Sequence, residues 1–94
     1  MNLDSIWTVS DEVVARKVAD ETVLLHLESG TYFSLDQIGG RVWEILDQTN
    51  GVTLKQVCDI IFDEYDVKRE LLERDIVNLV TELEAGNLTS ANAS

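Results

Sequence analysis

The sequence is short of several residue types, and each shortage argues against a class of protein. Its 94 residues include no proline and one cysteine, Cys58, so an intramolecular disulfide framework is impossible and a reducing compartment is indicated. The first residues lack the positive flank and apolar run of a signal peptide. Apolar runs elsewhere are only a few residues long, too short to span a membrane. These absences predict a cytoplasmic protein.

Basic residues are also scarce. The chain has 7 Lys and Arg against 18 Asp and Glu, which gives a formal net charge of −11. A surface this negative repels a phosphate backbone, so nucleic acid is a poor partner. The charge favours solubility, and it equally favours a partner that carries basic residues. With 45% hydrophobic residues, the chain has enough apolar side chains for one modest core.

The first half of the sequence predicts three short strands in an antiparallel meander. Two β-rich segments cover residues 12–20 and 21–29, and a tight connection joins them. A two-residue turn at Ser29 and Gly30 leads into a third strand over 31–35. A three-stranded meander cannot bury its apolar face alone, so it needs a covering layer.

After residue 35 the apolar spacing changes to that of helices. Asp36 is placed to cap the first helix, Thr53 and Gln56 form a capping box for the second, and Asp66 is placed to cap a third that runs to Ala85. The predicted apolar positions are, in chain order, Ile38, Val42, Ile45 and Leu46; Leu54, Val57, Cys58, Ile61, Phe62 and Tyr65; and Leu72, Ile76, Leu79 and Leu83.

These elements predict an α+β fold of the order β-β-β-α-α-α, like a winged helix whose wing strands come first. Residues 12–86 form the domain. Residues 1–11 are expected to be a lead-in segment that folds back on the domain, and residues 87–94 a disordered polar tail.

Residues that carry chemistry are few. Cys58 falls within an apolar helix stripe, where a thiol packs as a small hydrophobe. His26, the only histidine, lies on the strand face opposite Val23, Leu25 and Leu27 and has no second ligand at metal-binding spacing. The sequence therefore predicts no enzyme, no metal site and no cofactor. A small enzyme that uses Cys58 remains the least favoured alternative.

Gly39 and Gly40 match neither a phosphate-binding loop nor a dinucleotide fingerprint. They weaken the first turn of a helix by about 1 kcal/mol each relative to alanine. We therefore expect that turn to lie very close to a neighbouring strand or helix.

The last two helices have the spacing of a helix-turn-helix, and this spacing suggests DNA binding as an alternative function. Within the third helix, Lys68, Arg69 and Arg74 are outnumbered by acidic residues. A helix that enters a DNA groove must lie beside phosphates, and this one is net acidic. The sequence disfavours a winged-helix regulator.

Peptide binding remains as the favoured function class. The third strand has no predicted partner on its outer side, and it lacks the proline and lysine that usually protect an exposed edge. Such an edge accepts an extended peptide as an added strand. The third helix is expected to supply a wall beside it. The candidate peptide-binding residues are Thr31, Tyr32, Phe33, Ser34 and Leu35 on the strand, and Glu73, Ile76, Val77, Val80 and Glu84 on the helix.

The stretch YFSLD, then Ile38 and Gly39, then VWEIL over 42–46, followed by an apolar helix that ends near EYDV, resembles the PqqD-like family of peptide-recognition domains. The resemblance covers residues 12–86. It implies a winged-helix-like fold without catalysis, in which the leader segment of a ribosomally made precursor peptide binds between the third strand and the third helix.

Within that family, the aromatic pair Tyr32 and Phe33 and the segment VWEIL are most similar to stand-alone domains of lasso-peptide clusters. The implied partners are then a leader-cleaving peptidase and a cyclase. A PqqD-type chaperone that serves a radical enzyme in quinone-cofactor biosynthesis is the alternative. The open edge also permits self-pairing, so we expect a monomer or a weak homodimer.

Overall fold

The computed structural model describes residues 3–49 and 51–92 and confirms the α+β class. These residues form three helices and two three-stranded antiparallel sheets. The elements are β1 (Ile6–Val9), β2 (Val13–Val18), β3 (Glu21–His26), β4 (Tyr32–Leu35), α1 (Gln37–Gln48), β5 (Val52–Thr53), α2 (Leu54–Glu64), α3 (Arg69–Ala85) and β6 (Thr89–Asn92).

The predicted meander is confirmed as the sheet β2-β3-β4. The predicted two-residue turn at Ser29 and Gly30 is wrong, since β3 ends at His26 and β4 begins at Tyr32, which leaves a longer connection over residues 27–31. The two connections of the meander use the left-handed region at Ala19 (φ 57°) and Gly30 (φ 73°). Along β3, Thr22 and Leu24 are buried whereas Leu25 is 40% exposed. The face that carries Leu24 and His26 therefore packs against the helices, and the face that carries Leu25 is open.

The second sheet, β5-β1-β6, joins both ends of the described part of the chain. β1 lies in its centre and pairs Trp7 with Val52 on one side and with Ala91 on the other. The lead-in segment does fold back on the domain, and it does so as a strand that the sequence analysis missed. The Trp7 side chain is 1% exposed and packs within the larger core cluster.

The prediction of a disordered tail is wrong for residues 87–92. Leu88 and Thr89 are buried, and β6 pairs along the whole of β1. The strand segment TSAN has no alternating apolar residues, so its own pattern does not predict a strand. Its partner lies far away in sequence: the paired residues Thr8 and Ser90 are 82 positions apart. Residues 93 and 94 of the predicted tail lie outside the described residues.

Two of the three predicted helix caps are confirmed. The Asp36 side chain accepts a hydrogen bond from the Gly39 backbone N–H at 2.8 Å and caps α1. Thr53 and Gln56 form the predicted capping box at the start of α2, each side chain accepting from the other residue's backbone N–H. Both helices thus begin at the residues that the sequence predicted.

The third cap is wrong. α3 begins at Arg69, two residues later than predicted, and Lys68 rather than Asp66 occupies the capping position without a side-chain hydrogen bond. The preceding linker is extended, and Val67 packs against the core. Burying Val67 in an extended linker delays the helix start past Asp66.

The double glycine explains how α1 approaches the meander. A Cβ added at Gly40 would collide with the Thr22 side chain, and one added at Gly39 would lie 3.3 Å from the Leu35 Cβ. The expected close approach is confirmed: the first turn of α1 lies directly against β3 and the end of β4.

The helical stripes are mostly as predicted, with exceptions on each helix. Trp43 is buried although its position was not assigned to the core, and Phe62 is 46% exposed although it was. On α3, Val80 is fully buried, while Leu79 is only partly buried. The core face of α3 is therefore rotated slightly from the predicted stripe.

Candidate functional site

One edge of β4 has no strand beside it. β4 pairs with β3 through the registers from Thr22–Leu35 to Leu25–Tyr32. In the part of the chain that the structure describes, no strand pairs with its other side. The structure thus agrees with the predicted open edge, whose backbone N–H and C=O groups lack a strand partner.

Beside this edge lies a groove of about 510 Å³ between the end of β4, the first turns of α1 and the first half of α3. Most of its lining is apolar. The lining residues are Ser34, Leu35, Asp36, Ile38, Gly39, Val42, Val67, Lys68, Leu71, Leu72, Asp75, Ile76 and Leu79. An apolar groove next to an open strand edge suits an extended peptide, because the edge binds its backbone and the groove takes alternate side chains.

Local sequence explains the shape of the groove. Asp36 is the single residue between the end of β4 and the start of α1. The strand edge therefore meets the face of α1 that carries Ile38 and Val42 at a sharp corner. Gly39 keeps that corner narrow, since it lies against the Leu35 side chain. The extended linker before α3 brings Val67 to the opposite wall.

α3 and β4 run in opposite directions along the groove. At one end, a Cβ added at Gly86, just past α3, would lie 3.0 Å from the Phe33 ring. At the other end, Leu35 shares the groove with Leu72 and Ile76. The start of β4 therefore lies near the end of α3, and the end of β4 near its first half.

The structure brings some of the predicted site residues together. Ser34 and Leu35 on β4 and Ile76 on α3 line the groove, although Ile76 is only 1% exposed. Tyr32 is 71% exposed on the open face of the meander, and Phe33 packs against Gly86 and the smaller core cluster. Thr31 is exposed just before β4.

The other predicted helix residues do not reach this groove. Val80 is fully buried and exposes no surface to a peptide. Glu73, Val77 and Glu84 lie on the side of α3 that we call the opposite shoulder, and none of them lines the groove. A role for these residues in peptide binding stays a prediction.

The side of α3 that lines the groove carries residues that sequence reasoning missed. We call Lys68, Leu71, Asp75 and Leu79 the groove shoulder. Three of them follow one helical line, since Leu71, Asp75 and Leu79 are spaced four apart. The available signal was Leu71, a leucine outside the predicted core stripe that is 46% exposed in the structure.

Charge differs between the two shoulders. On the opposite shoulder, Arg69 bonds Glu73 at 2.8 Å and reaches Asp59 of α2 at 2.7 Å. Its hydrogen bond, with a further one from Lys55, holds the pKa of the Asp59 carboxyl below its ordinary value. The ion pair between Arg69 and Asp59 ties α3 to α2. On the groove shoulder, by contrast, Lys68 and Asp75 form no ion pair with any described residue.

The two reactive residues lie away from the groove. Cys58 is fully buried in the larger core cluster, and burial raises the pKa of its thiol. His26 is buried on β3, where its Nδ1 accepts a hydrogen bond from the Ser29 backbone N–H at 3.3 Å. No hydrogen bond joins the two side chains among the described residues, so the geometry does not support a Cys–His dyad.

The described residues contain no group of three or more His, Cys, Asp or Glu side chains placed to hold a metal ion. Within the same residues, no helix has both the length and the apolar character needed to cross a bilayer.

Comparison with known proteins agrees with this geometry. The family model described as coenzyme PQQ synthesis protein D (PqqD) matches residues 21–88. No curated protein matches the chain significantly.

Two solved structures resemble the whole fold. One is TbiB1 in complex with the TbiA(beta) leader peptide, which is 38% identical, has a TM-score of 0.80 and covers 93% of this chain and 99% of that one. The other is a lasso peptide synthetase B1 complexed with the leader peptide, which is 26% identical, has a TM-score of 0.70 and covers 89% of this chain and 96% of that one.

Proposed function

We propose, starting from the fact that this chain belongs to the PqqD family, that it binds the leader segment of a ribosomally made precursor peptide and presents it to a processing enzyme. The single observation that carries the proposal is the open edge of β4 beside an apolar groove. Both similar solved structures hold a leader peptide, which supports it.

In this proposal the peptide joins β4 as a fourth strand of the meander. β4 is four residues long, so one edge offers few backbone hydrogen bonds, each worth about 0.5–1.5 kcal/mol net. Micromolar affinity corresponds to about 8 kcal/mol, so the edge alone is too weak. Apolar side chains of the peptide supply the rest, since each one buried in the groove contributes about 1.5–3 kcal/mol.

We assign the chain a binding role without a catalytic step, in the cytoplasm. Its one thiol is buried and protonated at neutral pH, which supports this assignment. The partners are then a precursor leader peptide and the enzyme that modifies or cleaves it, with a leader peptidase and a cyclase favoured by the likeness to lasso peptide synthetase B1. A radical enzyme of quinone-cofactor biosynthesis is the second candidate, which the family match favours.

Isothermal titration with the TbiA(beta) leader peptide tests the proposal directly. We expect saturable one-to-one binding, and no binding of a peptide with the same composition in shuffled order. Failure of that leader to bind, together with failure to enrich any sequence from a random peptide library, would contradict the proposed function.

A pair of variants separates the two shoulders of α3. Leu71→Asp places a charge in the apolar groove, and we expect it to weaken leader binding by about tenfold or more, because each tenfold loss is only about 1.4 kcal/mol. Glu84→Lys changes an exposed residue on the opposite shoulder and is expected to leave affinity unchanged. The reverse result would place the peptide on the opposite shoulder, as the sequence analysis predicted.

A further inference from the structure

We propose that Lys68 and Asp75 select the charges of the bound peptide, so that the groove prefers a strand with an acidic side chain near Lys68 and a basic side chain near Asp75. The inference rests on the proposed function and specifies the class of peptide that the groove accepts. Both residues line the groove, on the same face of α3.

Their lack of partners is the first argument. Among the other charged residues in the first turns of α3, Arg69 and Glu73 bond each other. Glu70 and Arg74 form no ion pair with a described residue either, but they do not line the groove. Lys68 and Asp75 form no ion pair with any residue that the structure describes. Their charges are therefore available to a ligand, whereas those of Arg69 and Glu73 are already compensated.

The setting of the two charges is the second argument. Leu71, Leu72 and Leu79 lie between and beside them in the groove wall. A peptide laid in the groove excludes water from these side chains and lowers the local dielectric constant, which strengthens a charge pair relative to one in open solvent. A like charge on the peptide is penalised for the same reason, so the pair acts on specificity as well as on affinity.

The spacing of the two charges predicts a peptide pattern. Lys68 and Asp75 are seven positions apart, about 10 Å along the helix axis. An extended strand advances about 3.4 Å per residue, and its side chains return to the same face every second residue. Groove-facing acidic and basic residues of the peptide are therefore expected two or four positions apart.

The direction of the strand sets their order. Every pair in this sheet is antiparallel, and antiparallel pairing is slightly the more stable kind. A peptide antiparallel to β4 runs in the same direction as α3, because β4 and α3 run in opposite directions along the groove. It meets Lys68 first, so the acidic residue precedes the basic one.

Selection from a phage-displayed library of random dodecapeptides tests the inference without knowledge of the natural leader. Peptides enriched on the unmodified protein are expected to carry an acidic residue before a basic one, with apolar residues between or beside them. Peptides enriched on the Asp75→Lys variant are expected to carry an acidic residue where those enriched on the unmodified protein carry the basic one. On Lys68→Glu the acidic preference is expected to change to basic.

Charge-matched controls exclude an effect of net charge. On the opposite shoulder, Glu84→Lys changes the charge by the same amount as Asp75→Lys. At an exposed position of α3, Arg74→Glu changes the charge by the same amount as Lys68→Glu. Both are expected to enrich the same peptides as the unmodified protein. A circular dichroism spectrum and a melting curve for each variant confirm that the fold is retained.

One enriched peptide then provides the quantitative check. Replacing its basic residue by Glu is expected to weaken binding to the unmodified protein by about tenfold and to strengthen binding to Asp75→Lys. The inference is overturned if the unmodified protein and Asp75→Lys enrich the same charges. The proposed function itself fails if the unmodified protein enriches nothing, which is a different result from the same screen.

Discussion

The two sheets of this protein have the same number of strands, but they are built from different kinds of chain segments. The meander β2-β3-β4 is one continuous segment of chain, with short turns between neighbouring strands. The end sheet β5-β1-β6 is assembled from three distant segments and includes both ends of the described chain. The meander keeps the outer edge of β4 and much of one face open, whereas the end sheet contributes Trp7 to the larger core cluster.

This difference suggests that the end sheet mainly stabilises the fold and that the meander mainly serves binding. The meander is built from local pairing and leaves an edge for a ligand, while pairing between the ends of the described chain closes the core. We therefore expect substitutions in the end sheet to lower the free energy of unfolding. Substitutions on the open side of the meander and in the groove should affect binding with little loss of stability.

The largest expected effect comes from the centre of the end sheet. Trp7→Ala removes a side chain that is 1% exposed, and we expect the free energy of unfolding to fall by about 3–5 kcal/mol. Urea denaturation followed by circular dichroism measures it. Thr8→Ala, the next residue on the other face of β1, is the control and is expected to cost less than about 1 kcal/mol. Equal losses in both variants would show that the end sheet does not close the core.

An intermediate effect distinguishes the two faces of the meander. Leu24→Ala empties a fully buried position and is expected to cost about 2–5 kcal/mol. Leu25→Ala, on the adjacent residue of β3, removes a side chain that is 40% exposed and should cost less than about 1 kcal/mol. Thermal melts of the two variants provide the comparison. A similar cost at both positions would mean that something covers the outer face in solution.

The smallest effect concerns the Arg69–Asp59 ion pair between α2 and α3, which lies outside both sheets. The pKa of the Asp59 carboxyl is lowered chiefly by its hydrogen bond with Arg69. The contribution of this interaction to the stability of the fold is therefore present above the ordinary carboxyl pKa, and it is lost as the pH falls through the lowered pKa. Arg69→Gln is expected to raise the Asp59 pKa towards 3.8.

Carbon-13 NMR titration of side-chain carboxyl groups measures this change. Arg41→Gln is the matched control, because Arg41 bonds Glu64 instead and lowers the pKa of that carboxyl. It is expected to raise the Glu64 pKa and leave that of Asp59 unchanged. An Asp59 pKa that stays low without Arg69 would assign the shift to Lys55 alone.

The parts of the fold that could be predicted are those that depend on neighbours in sequence. The meander follows from alternation and from Gly30, which adopts a positive φ in the connection between β3 and β4. Two helix starts follow from the side chains of Asp36 and Thr53. β6 could not be predicted this way, because a polar four-residue strand is stabilised by its partner β1 and not by its own pattern.

The open edge beside the groove was predicted, whereas the groove lies along a side of α3 that the predicted site did not include. An unprotected edge on β4 is visible in sequence because proline and lysine are absent from it. Which shoulder of α3 faces that edge is not visible, since a helical pattern defines a core face but does not say which element lies to either side of it. Val77 and Leu79 flank the same core stripe and are both partly buried, yet only Leu79 lines the groove.

The pairing of Ile6 with Asn92 brings the two ends of the described chain together as neighbours in one sheet. The path of the backbone is thus almost a closed ring. A short linker between the ends, with new termini opened at the exposed Ala19–Asp20 turn, gives a circularly permuted protein that keeps every groove residue from Ser34 to Leu79 in one uninterrupted piece. In such a permutant β6 and β1 become the two strands of a local hairpin, so the pairing that sequence patterns could not predict becomes a pairing of neighbours.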